Sequence, residues 1–118
     1  MNLKSFTYPE KEKLKSRKLI KKVFDEGKTI KSYPILIRFV LQNTDTHSVG
    51  VSVSKRNFKK AVDRIRIKRQ LREAYRLNKA ELQNTDSKYA MMIIFIGKKE
   101  MTSKDIQETV KSLFKELQ

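Results

Sequence analysis

Between Lys55 and Arg76 the chain carries Lys55, Arg56, Lys59, Lys60, Arg64, Arg66, Lys68, Arg69, Arg72 and Arg76, against two acids, Asp63 and Glu73. Crowded cations of this kind repel one another. Phosphates that neutralise them release counterions, and that release supplies much of the affinity of proteins for nucleic acid. Arginine outnumbers lysine from Arg64 onward. Its planar fork suits phosphates and base edges, and it stacks on bases. Nothing comparable exists for covalent chemistry. There is no cysteine, which rules out disulfides and thiolate chemistry. The one histidine, His47, sits at the start of a candidate strand and reads as a surface or edge residue rather than a catalyst. Asp63 and Glu73 fall on different faces of one candidate helix. Asp105 and Glu108, three residues apart, are more simply a helix-terminal charge choice. No catalytic residue and no protein-bound metal or cofactor is assigned, and the isolated protein is expected to have no nuclease activity.

The whole composition agrees with a polyanion partner. The 118 residues hold 28 Lys plus Arg and 13 Asp plus Glu, a formal net charge of +15. Self-repulsion at that charge opposes compaction, and clustering of the charge points to nucleic acid rather than to mere solubility. The length suits one domain with its own core. Residues 1–13 mix charge with little apolar content and read as a flexible N-terminal arm, leaving 14–118 as a single RNA-binding domain. The N-terminus lacks a signal-peptide pattern. The longest apolar run, Tyr89 to Ile96, is far short of the roughly 20 residues of a membrane span. A soluble, cytoplasmic protein without a membrane partner is expected.

The elements that must position these residues can be read from periodicity. Ser16 caps a helix whose apolar stripe is Leu19, Ile20, Val23 and Phe24, and Gly27 ends it. Tyr33 to Gln42 alternates as a strand, with Ile35, Ile37, Phe39 and Leu41 on one face and Arg38 on the other. His47 to Lys55 is a second strand. Val49, Val51 and Val53 point one way, and Ser48, Gly50, Ser52 and Ser54 the other. A small polar face of this kind suits an extended nucleic-acid strand, or simply solvent. Asn57 is placed as the cap of the long basic helix, which runs to about Asn78. Lys88 to Gly97 is a third strand, apolar on both faces and hence central or doubly covered. Thr102 and Asp105 open a last helix striped by Ile106, Val110, Leu113, Phe114 and Leu117. The order α-β-β-α-β-α gives a two-layer α/β (α+β) sandwich with a small mixed sheet.

On a helical wheel the basic helix is amphipathic in an unusual sense. Ile67, Leu71, Ala74 and Asn78 cluster on one side, with Tyr75 at its edge. Lys68, Arg69, Arg72 and Arg76 lie together on another, with Arg64 and Arg66 at opposite edges. Ile65 falls in the middle of the basic side.

The stretch Ala61-Val62-Asp63-Arg64-Ile65-Arg66-Ile67-Lys68-Arg69-Gln70-Leu71-Arg72-Glu73-Ala74-Tyr75-Arg76 resembles the signature of the bacterial ribonuclease P protein component family. The family pattern has Arg-Asn-Arg where this chain has Arg64-Ile65-Arg66. The strand Val49-Gly50-Val51-Ser52-Val53-Ser54-Lys55-Arg56, the Val23-Phe24 pair followed by Gly27, and Lys98-Lys99 after the third strand are similar too. The likeness covers roughly residues 14 to 117. It implies a ribosomal protein S5 domain 2-like fold with a left-handed β-α-β crossover. It also implies a subunit that binds a large catalytic RNA and assists removal of the 5′ leader from precursor tRNA. The chemistry is the RNA's, and the holoenzyme requires Mg2+ held mainly by RNA. One protein per RNA is expected. The basic helix, together with Lys55, Arg56, Lys59 and Lys60, faces the catalytic RNA. A groove formed by Ile20, Phe24, Arg38, Ser52, Ser54 and Lys98 faces the leader. Ile20 stands where many members have an aromatic. Phe24 either stacks on a base or packs in the core.

A ribosomal or other structural RNA-binding protein without a processing role shares the charge and scale, and only the signature helix separates the two. A DNA-binding regulator lacks the second helix a short turn away that helix-turn-helix proteins need. A membrane-surface helix lacks the broad apolar face.

Overall fold

The computed structural model describes residues 8–82 and 87–117. Seven main elements follow in order: α1 (Arg17–Glu26), β1 (Lys28–Ser32), β2 (Ile35–Gln42), β3 (Ser48–Val53), α2 (Ala61–Asn78), β4 (Lys88–Phe95) and α3 (Ser103–Glu116). Short 3-10 turns at Glu10–Glu12 and Lys79–Leu82 precede α1 and follow α2. The four strands form one mixed sheet in the order β1-β2-β4-β3. β4 is central as expected, antiparallel to β2 with Ile37 opposite Ile93, and parallel to β3 with Val51 opposite Ile93. β3 and β4 are therefore a parallel pair joined through α2.

Alternation along the strands sends side chains to two faces. Ile35, Ile37, Val49, Val53, Met91, Ile93 and Phe95 meet Ile67, Leu71, Ala74 and Tyr75 of α2 and Ile106, Val110, Leu113 and Phe114 of α3. Each fully buried aliphatic contributes about 1.5–3 kcal/mol, so this face holds most of the stability. Leu14, Val23, Ala90 and Met92 form a smaller cluster on the opposite face, joined by Leu19, Ile20, Val40 and Ile94. The mixed α/β sandwich is as expected, with α1 as a partial further layer. Caps at Ser16 and Thr102 also match: Leu19 N–H donates to Ser16 Oγ at 3.2 Å, and Asp105 N–H to Thr102 Oγ1 at 3.1 Å.

Three local expectations need correction. β1 went unread, because Lys28–Ser32 has only Ile30 half-buried and so shows no apolar alternation; it is an edge strand defined by pairing with β2. Asn57 does not cap α2. The helix begins at Ala61, with Lys60 as an N-cap whose side chain makes no capping bond. The Asn57 amide instead donates to the carbonyls of Ile96 and Gly97 at 3.1 and 3.3 Å. Residues 8–13 do not behave as a loose arm, while 1–7 lie outside the described residues. Leu14 N–H donates to Val49 O at 3.0 Å, and Lys13 bridges Val49 along the free edge of β3. Glu12 is buried against Lys79, with Nζ to carboxylate distances of 3.0 and 3.2 Å, and accepts from the Tyr75 hydroxyl. A buried carboxylate is tolerated because its charge is paired and its lone pairs are filled.

Candidate nucleic-acid interface

α2 presents its residues to two environments. Ile67, Leu71, Ala74 and Tyr75 are sealed in the core, and this fixes the helix against its neighbours from Ile67 to Tyr75. The opposite side is then held rigidly outward, with Arg69 and Arg72 exposed and Lys68 half-exposed. Among the described residues these three make no ion pair and no side-chain hydrogen bond. Arg76, the last member of the row, is bound to Glu73, with Nε to carboxylate at 3.1 Å; the paired guanidinium holds the Glu73 carboxyl below its usual range. Ile65 is 54% exposed in the middle of the row, and Val62 lies exposed beside it. The sequence reading of one basic side with an apolar island is therefore correct in three dimensions.

The two arginines placed at the edges do other work. Arg64 folds back and donates to the carbonyls of Phe58 and Lys59, both at 2.8 Å. It ties the loop before the helix, whose buried Phe58 packs on Phe95 with ring centres 5.9 Å apart. Arg66 turns to the other edge and meets Glu100 at 2.8 and 3.0 Å, with Asp63 at 3.5 Å. Lys55, Arg56, Lys59 and Lys60 precede the helix rather than belong to it. All four are exposed, and among the described residues none has an ion-pair partner.

On the other face of the sheet the residues expected to line one groove are not gathered in one cleft: Ile20 lines one and Lys98 another. α1 packs across β2 and β4, so the same face of β3 keeps Ser52 and Ser54 partly open. Gly50 lies where a Cβ would stand 2.6 Å from Met92 Sδ, so a side chain here would displace the Met92 thioether, while Leu14 Cβ at 3.5 Å is an ordinary contact. Ile20 is half-buried, packing on the Val23 cluster while lining a cleft of about 430 Å3 with Gly50, Lys13, Lys15 and Arg72. Phe24 is 42% exposed and belongs to neither core cluster, so it does not pack in the core. Ser54 Oγ accepts from Asn57 N–H at 3.4 Å. Arg38 is not a free groove cation. Its guanidinium donates to the carbonyls of Val23, Phe24 and Gly27 and to Thr29 Oγ1. The reason is helical: carbonyls at the end of a helix lack partners within it; Val23 O already accepts from Gly27 N–H, and Arg38 supplies the carbonyls of Phe24 and Gly27. Lys98 stands at the end of the sheet, beside Tyr33 and Pro34.

His47 also differs from expectation, being only 9% exposed. Its Nδ1 accepts from Tyr89 N–H at 3.0 Å, and its ring stacks on Tyr89. Burial and the Lys88 charge push its pKa down, against smaller opposing contributions from the Leu82 backbone and Glu12. It is a neutral packing group. Two basic residues escaped the sequence reading: Lys13 and Lys15, both paired with Glu10 and both facing the cleft near Arg72. The alternation Lys13-Leu14-Lys15 after Tyr8 was the available signal. Tyr8 itself donates to Val49 O and packs edge-on to Tyr75, and burial pushes its hydroxyl up to about 12.

Comparison with known proteins points one way. The family model described as Ribonuclease P matches residues 8–118. A ribonuclease P protein component from Clostridioides difficile is 36% identical over 105 residues, covering 86% of this chain and 88% of that protein. One from Porphyromonas gingivalis is 44% identical over 80 residues, covering 64% of this chain and 57% of its own length, so little more than half of that relative is spanned. Among solved structures, the RNase P protein from Thermotoga maritima superposes with a TM-score of 0.77 at 23% identity, over 91% of this chain and 98% of that one. A Staphylococcus aureus RNase P protein gives 0.75 at 22% identity, over 90% and 94%. At such identities the structural likeness is one of fold.

Proposed function

The chain belongs to the ribonuclease P protein family, and on that premise we propose that it is the protein subunit of ribonuclease P, binding the catalytic RNA and the 5′ leader of precursor tRNA. The observation that supports this best is the row Lys68, Arg69 and Arg72. These are cations without acidic partners among the described residues, fixed on a helix whose other side is core. Phosphates of a structured RNA neutralise such a row, and the released counterions make the binding salt-dependent. The leader, an unpaired strand, lies on the opposite face, where Ser52 and Ser54 leave room for backbone and Phe24 offers a ring for stacking.

In this reading the RNA performs the hydrolysis and the protein positions the substrate. Among the described residues no group of three or more His, Asp or Glu stands together as a metal site. The magnesium ions of the holoenzyme are, in this reading, held mainly by the RNA. The chain's own contribution is to hold the leader in register and to offset phosphate repulsion between leader and catalytic RNA. One protein per RNA, working in the cytoplasm, completes the proposal. No described helix is long and apolar enough to cross a membrane.

Reconstitution tests it. The protein is combined with a bacterial ribonuclease P RNA and a precursor tRNA at low magnesium. Cleavage at the mature 5′ end, stimulated by the protein and absent with RNA-free protein, is the expected result. Co-purification with ribosomal RNA and no stimulation would instead favour a structural ribosome-binding role.

A further inference from the structure

The open face of the sheet runs toward the end where β4 leaves and β2 begins. Leu36, Ile94 and Ser52 are cross-strand partners on that face, all half-exposed. One pair further on, Ile35 meets Phe95, which places the β1–β2 turn, with Tyr33 and Pro34, beside Gly97 and Lys98. A cleft of about 390 Å3 lies there, lined by Tyr33, Pro34, Gly97, Lys98, Lys99 and Met101, with Glu100 at its rim. Tyr33 is 65% exposed and belongs to neither core cluster. Its turn is nevertheless tightly held. Ile96 N–H donates to Pro34 O at 2.8 Å, Asn57 grips the carbonyls of Ile96 and Gly97, and a Cβ on Gly97 would stand 2.7 Å from Pro34 Cβ. The acidic neighbour is occupied, since Glu100 is bound to Arg66.

We propose that Tyr33, Lys98 and Lys99 form a site for one unpaired nucleotide, its base stacked on the Tyr33 ring and its phosphate held by the two lysines. An aromatic face beside exposed ammonium groups is the pairing that single-strand binding surfaces use. The clamped turn holds the Tyr33 backbone in place, so only side-chain freedom is lost when a base covers the ring. The site takes the next nucleotide of a strand lying along the open face, so it rests on the reading of that face as a single-strand track.

The chain has no tryptophan, so Tyr33→Trp places a single indole reporter in the cleft. Full-length protein is titrated with oligoadenylate and oligouridylate RNA. Binding is expected to quench the indole, more strongly with adenylate. Tyr33→Leu is expected to weaken binding by about fivefold, the low end of the stacking range, with the salt slope unchanged. Lys99→Ala is expected to flatten that slope by about 0.7, one single-strand phosphate. Ser52→Glu, which puts a charge into the track, separates the two readings. Weaker binding by Ser52→Glu without indole quenching in Tyr33→Trp overturns the nucleotide site and leaves the track standing. Quenching that survives Ser52→Glu at unchanged affinity overturns the track, and with it the proposal that this cleft takes the next nucleotide of a strand lying there. No quenching and no effect of Ser52→Glu overturns both.

Discussion

The residues of α2 divide by what they touch, not by their type. Arg64 and Arg72 are both arginines on one helix; Arg64 is spent on loop carbonyls and Arg72 faces the cleft. Ile65 sits among the free cations where the family pattern has asparagine. A side-chain amide there could donate to RNA, and a net hydrogen bond of about 0.5–1.5 kcal/mol corresponds to roughly two- to tenfold in affinity. Ile65→Asn is therefore expected to tighten binding of the catalytic RNA within that range in a filter-binding assay. Unchanged affinity would place Ile65 toward water in the complex. His47 makes a different prediction. Its pKa is lowered in the folded chain, so the unfolded chain binds the proton first as pH falls. Its contribution to stability is whole above the unfolded pKa of about 6.5 and declines as pH drops from there toward the lowered folded value. The urea midpoint is expected to fall between pH 7.5 and 5.5, and His47→Phe to flatten that fall. An equal slope in both proteins would assign the dependence to other groups.

At the scale of elements, local chemistry was legible where an element defines itself. α3 has its own cap and a complete apolar stripe, α1 its Ser16 cap, and β4 its continuous apolar run. Elements defined by a distant partner were not legible. β1 is a strand because β2 offers an edge, and the stretch before α1 is ordered because Glu12 finds Lys79 and Tyr75, more than sixty residues away. Asn57 has the residue type of a cap, but the carbonyls of Ile96 and Gly97 claim its amide. Arg38 looked like a groove cation because its strand position faces α1; the unfilled helix end beside it could not be seen in sequence. The Glu12 staple carries a quantitative expectation. Removing one member of a buried pair strands the other, at a cost of about 3–5 kcal/mol. Glu12→Ala is expected to lower unfolding free energy by that order in urea titration, through the uncompensated ammonium of Lys79. Glu12→Ala with Lys79→Met should recover much of the loss. A loss below about 1 kcal/mol for Glu12→Ala alone, the value of a surface pair, would mean that Lys79 reaches solvent.

As a whole molecule, the protein keeps its two candidate RNA surfaces on different layers, the cationic row on α2 above one sheet face and the serine-lined track below the other. A net charge of +15 resists compaction, and two polyanionic strands on separate faces relieve that repulsion, the two surfaces meeting at the cleft that Arg72 of the row lines together with Ile20. Separate surfaces should give separable defects. Arg69→Ala, on the outer side of the row, is expected to raise the Kd for the catalytic RNA and to flatten its salt slope by about one unit, whatever the leader. Phe24→Ala is expected to leave that Kd unchanged and to raise KM for precursors with long leaders, with little change for a leader of one or two nucleotides. One base lost from an aromatic is worth about 1–3 kcal/mol, so the contrast between long and short leaders should reach at least about fivefold. A Phe24→Ala protein that loses catalytic-RNA affinity in parallel, or that treats all leader lengths alike, would place both strands on one continuous surface.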